Sequence, residues 1–149
     1  MKPDVPLVLQ HSFGKLLLEV APNLTAEYAV GNTSVIGLMM FMSAAEFERG
    51  AQLRAEENAE MRAIFEETGG LGLPGDLQKR LGAAAGGREA SLLISDLDQE
   101  NDRLKTLLIE LQAALEELDS PPARKLGARI WSFLRQAAEK RKLPYPSIG

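Results

Sequence analysis

From Ile94 to Leu118 the apolar residues keep a single rhythm. Ile94, Leu97, Leu104, Leu108, Leu111, Leu115 and Leu118 are separated by alternating steps of three and four once Asn101, the polar member of the series, is counted in. Only a helix brings residues so spaced to one side, and an unbroken seam of that kind is stable only against another helix. The chain must therefore fold as helix packed on helix.

The remaining sequence supplies the partners. Leu9, Phe13, Leu16, Leu17, Val20 and Leu24 recur at helical spacing, and Pro22 closes the segment, which predicts a first helix over about residues 7–21. A long second helix is expected from Ala26, or from Ser34 after a break at Gly31-Asn32, to about Glu67, where Thr68-Gly69-Gly70 ends it. Asp76 can cap a short helix reaching Ala85, which Gly86-Gly87 breaks, and a fourth helix is read from about Glu89 to Leu118. Ser120-Pro121-Pro122 is a restart signal, since proline at the first helical position loses no hydrogen bond; the last helix then runs to about Lys142, before an extended tail from Leu143 to Gly149. No stretch alternates with the period-two pattern of a strand. The expected fold is all-α: an elongated antiparallel helical bundle of four main helices and one short connecting helix, forming a single domain over residues 1–149.

Composition narrows the function. With 45% apolar and 26% charged residues, 149 residues can bury a sizeable core. A net charge of −4 lacks the basic footprint that nucleic-acid binding needs, so no nucleic-acid partner is expected. The absence of cysteine excludes disulfides, thiolate metal sites and a cysteine nucleophile. No charged-then-apolar leader is visible at Met1-Lys2-Pro3-Asp4, and a cytoplasmic location is the expectation. Tyr28 to Ala45 carries no charge, but its continuous apolar core covers only Val35 to Met42. A span needs about 20 mostly apolar residues, so this segment is expected to be a buried helix of the bundle rather than a membrane span.

Two segments match at an offset of 43. Glu57-Asn58, Met61, Arg62, Ile64-Phe65 and Glu67 align with Glu100-Asn101, Leu104, Lys105, Leu107-Leu108 and Glu110. A chance likeness between amphipathic helices and a duplicated helix are both open. Either way Asn58 falls on the same kind of stripe as Asn101, with Arg54 one turn earlier. An unpaired buried amide costs about 1–3 kcal/mol, so each asparagine needs a partner. Such residues fix register or oligomeric state, or else they touch a ligand. Were their helices antiparallel, Asn58 and Asn101 would lie at nearly the same height and could meet.

Chemistry is harder to place. Glu56, Glu57, Glu60, Asp98, Glu100 and Asp102 invite comparison with a di-metal carboxylate site, but that site needs Glu-x-x-His on two helices and the sole histidine is His11. Gly69-Gly70-Leu71-Gly72 lacks the ending of a phosphate loop. No metal, cofactor or catalytic residue is assigned. Residues 120–149 carry seven bases against Glu139 alone, whereas 46–67 and 96–119 are rich in acids. The basic last helix, with Trp131 in its apolar face, should therefore lie against the acidic ones; an external acidic partner or membrane surface is the other reading. The function expected is non-catalytic: a protein–protein interaction or accessory subunit whose partner is another protein or a second copy in a homodimer. The alternative is a small apolar-ligand site inside the bundle, lined by Met39, Met40, Phe41 and Met42 together with the seam asparagines.

Overall fold

A computed structural model describes residues 3–143 and residue 146; the remainder of the tail expected to be extended lies outside the described residues. Among the described residues there is no strand, and the protein is an all-α helical bundle. Its helices are α1 (Val5–Lys15), α2 (Glu27–Glu66), α3 (Gly75–Ala85), α4 (Ile94–Leu118) and α5 (Pro121–Arg141).

Local chemistry sets the boundaries. The Asp4 side chain accepts from the Leu7 amide at 3.0 Å and starts α1. Pro22 has no N–H to give the Leu18 carbonyl. The chain adapts by a π turn over Leu16–Val20, with Ala21 N–H bonded to the Leu16 carbonyl, and then tightens to a 3-10 turn at Ala21–Asn23. Of the two starts open to α2, the one near Ala26 is observed: it begins at Glu27 and runs for 40 residues with no break at Gly31-Asn32. Glycine costs only about 1 kcal/mol in a helix interior, too little to stop a helix fixed on both sides. Helix α4 begins at Ile94, later than expected, because Glu89 is held by Arg62 and the Leu93 amide turns back to the Ser91 hydroxyl. Asp119 takes a left-handed conformation (φ 38°) between α4 and α5, and the Ser120 hydroxyl caps α5 by accepting from the Ala123 amide at 3.3 Å.

The chain divides into two compact units, one of residues 51–142 and one of residues 1–50 with 143–149. In the unit of residues 51–142 four helical segments alternate in direction. Arg54 meets Asp98 and Asn58 meets Asn101, so the end of α2 and the start of α4 ascend together. Helix α5 opposes α2, since Arg129 reaches Glu60 and Glu67 whereas Lys140 reaches Glu56. Helix α3 is the return stroke: Gln78 bonds Thr68 at the top of α2, and Gly87, past the end of α3, lies beside Arg62. Between these helices sits a continuous core that includes Met61, Ile64, Phe65, Leu81, Leu104, Leu108, Leu111, Leu115, Leu126, Ile130 and Phe133. The α4 seam is buried from Leu97 to Leu115, and only its ends, Ile94 and Leu118, are open.

The unit of residues 1–50 is a helical hairpin. The Phe13 and Phe41 rings lie 5.4 Å apart, and Gly37 makes room for Phe13: a β-carbon there would sit 3.2 Å from that ring. Its buried apolar residues are Ala21 and Ala44. The segment expected to be a buried helix is not buried. Val35 is 57% exposed, Ile36 50% and Met39 62%. Helix α2 is apolar on every side here, and α1 covers one of them.

Candidate interaction sites

Two features stand out, one in each unit. The first is a polar cluster inside the apolar seam between α2 and α4. Asn58 and Asn101 are almost completely buried. Asn101 Nδ2 donates to Asn58 Oδ1 at 2.8 Å and to Glu57 Oε2 at 3.3 Å, while Asn58 Nδ2 donates to the Leu97 carbonyl at 3.3 Å. The amides do meet, though on helices that run in the same direction, not the opposed one that the spacing suggested. Helix α3 carries the chain back before α4 begins, so α2 and α4 run parallel.

Around them the two matching segments contact one another reciprocally. Arg62 of the first donates to Glu100 of the second at 2.7 Å, and Lys105 of the second lies 3.9 Å from Glu57 of the first. Asn58 pairs with its own counterpart, Asn101, and Met61, Phe65, Leu104 and Leu108 fill the seam above them. The segments alike at offset 43 thus face one another across a helix pair. Arg54 closes the lower end on Asp98 at 2.6 Å.

Glu57, one acid among several in the sequence, is buried in the structure. Burial pushes its carboxyl up, but Arg141 grips both oxygens at 2.5 and 2.8 Å and Lys105 and Asn101 add to it, so the net shift is downward. Glu100 is likewise lowered, by Arg103 first, then against burial by Arg62. Arg62 also holds Glu89 at 2.5 Å, and its Nε is buried without a hydrogen-bond partner beneath Gly87. The signal that could have found these groups was the repeat itself, which carries an acid before each asparagine and a base four residues after it. Helix α5 brings its bases to the acids of α2: Arg129 to Glu60, Lys140 to Glu56, Arg141 to Glu57. Among the described residues, no three histidine or acidic side chains gather as metal ligands would. A cleft of about 510 Å³ is lined by Glu56, Glu57, Glu60, Phe133 and Lys140 among others.

The second feature is the hairpin surface. Tyr28, Asn32, Val35, Met39 and Met42 follow steps of four, three, four and three along α2, with Ile36 beside them. Of these Tyr28 is 82% exposed and Met42 is half-buried. Met40 and Phe41 are half-buried, Phe41 against Phe13. Met39 to Met42 thus belong to one unit and the asparagines to the other, where their amides are engaged. Trp131 lies on α5, more than half exposed, on the rim of an open groove of about 400 Å³ with Gln112, Leu115 and Gly127. By length and composition alone α2 is long and apolar enough to cross a membrane. Compared with family models, with curated proteins and with solved structures, the chain matches none at a significant level.

Proposed function

We propose that this protein is a non-catalytic interaction protein, an accessory subunit in which residues 51–142 form a self-sufficient scaffold and the hairpin of α1 and α2 presents a docking face. The observation that supports this reading is the bare stripe on α2. Tyr28, Val35, Ile36 and Met39 each leave half or more of their surface open, in the charge-free stretch from Tyr28 to Ala45. Exposed apolar patches of this kind mark interaction surfaces. The polar cluster of α2 and α4 is closed by its own hydrogen bonds, which favours a role in fixing the register of the scaffold over ligand contact.

A photoreactive residue at position 39 tests this in the intact chain, in its native cell. The reading expects protein adducts from position 39 and none from Gln99, an exposed site on α4. Adducts to lipid alone, or equal protein adducts from both positions, would overturn it.

A further inference from the structure

We infer that the occupant of the α2 stripe is a second copy of this chain, the two hairpins packing with their α2 faces together as a four-helix bundle. The inference rests on the interaction reading above and names its partner.

Size is the first argument. Tyr28, Val35, Ile36 and Met39 offer on the order of 500 Å², to which exposed Asn32 and half-buried Met42 add, against the roughly 800 Å² per partner of a stable protein interface. The second argument is the poverty of the hairpin's own interior. Ala21 and Ala44 are its buried apolar residues, while the unit of residues 51–142 buries Met61, Ile64, Phe65 and a row of leucines. Two helices cannot enclose a core, and small units of this kind need oligomerisation or a cross-link to persist; the chain has no cysteine to supply the latter. Pairing two hairpins makes the four-helix arrangement in which Val35, Met39 and Met42 become core positions.

Self-complementarity decides between a copy and an unlike partner. A two-fold interface sets each stripe against itself, so a charged stripe would repel its mate. This one has no charge from Tyr28 to Ala45, and its polar member, Asn32, both donates and accepts, as an amide in such a seam must to pair with its equivalent. The outer side of α1 argues against lipid as the occupant. Gln10, His11 and Lys15 on α1 and Glu19 in the π turn are exposed beside Leu7, Val8 and Leu18, and a hairpin sunk in a bilayer would carry Lys15 and Glu19 with it. The α2 side is free of charge, whereas the α1 side mixes exposed Leu7, Val8 and Leu18 with the charges of Lys15 and Glu19.

The test is sedimentation equilibrium of the intact chain, with Val35→Glu plus Met39→Glu as the variant. The wild type should weigh twice 16.2 kDa, and the variant should dissociate at least about 100-fold more readily while keeping its helicity. Because the variant could lose the hairpin fold, a second measurement uses the cysteine-free background. Met39→Cys should oxidise to a covalent dimer and Lys15→Cys should not. A wild type that stays monomeric, with protein adducts of another mass at position 39, overturns the second copy but leaves the interaction reading standing. Monomers that bind vesicles of mixed anionic and zwitterionic phospholipid, with binding lost in the double variant, overturn both. A dimer unaffected by the double variant, or cross-linked equally from Lys15→Cys, places the contact elsewhere and overturns the inference.

Discussion

Asn101 sits where a leucine would pack, and the energetics of that choice depend on what it leaves behind when removed. Its amide serves Asn58 at 2.8 Å and Glu57 at 3.3 Å in a site closed to water. Asn101→Leu should keep the fold and cost about 1–3 kcal/mol, because Asn58 Oδ1 then has no donor. Asn58→Leu with Asn101→Leu should recover much of that loss, since two facing leucines extend the seam without an orphan. Urea unfolding of the wild type, Asn101→Leu, Asn58→Leu and the double variant measures it; additive losses would mean the amides are not coupled. The asparagines were legible because each interrupts an apolar stripe. Glu57 and Arg141 were not. In a helix this acidic, one more glutamate reads as solvated surface, and only the position of α5 shows that this one is buried and gripped.

At the level of elements, the helices were legible from spacing and stop signals, and α5 began where its serine and prolines put it. Which side of α2 the chain covers was not. Period reveals a covered side only when apolar and polar faces differ, and from Tyr28 to Ala45 they do not. Helix α5 carries a pH prediction. Glu56 is lowered by hydrogen bonding to Lys140 and then Gln52, and Glu57 is lowered on balance despite its burial. A carboxylate lowered in the folded state stabilises it fully above its ordinary value of 4.5, and the contribution fades as pH falls through the lower folded value. Acidification below 4.5 should therefore loosen the last turns of α5, around Lys140 and Arg141, before its first half, where Leu126, Ile130 and Phe133 are buried. Hydrogen exchange across that range reads the order. Simultaneous release of both halves would show that the ion pairs add nothing to the docking of the C-terminal turns.

Across the whole molecule, the large buried core and the exposed apolar stripe lie in different units. Residues 51–142 own the core, the reciprocal seam and the α5 ion pairs; residues 1–50 own the bare apolar stripe. If the stripe is completed by association, its order must depend on protein concentration by mass action, whereas the core's must not. The most direct measurement is amide exchange of the intact chain between about 1 and about 100 μM. The account predicts that protection over residues 28–45 rises with concentration while protection over 97–133 stays constant. Protection of residues 28–45 that is the same at every concentration, or that rises and falls in step with the core, would contradict it.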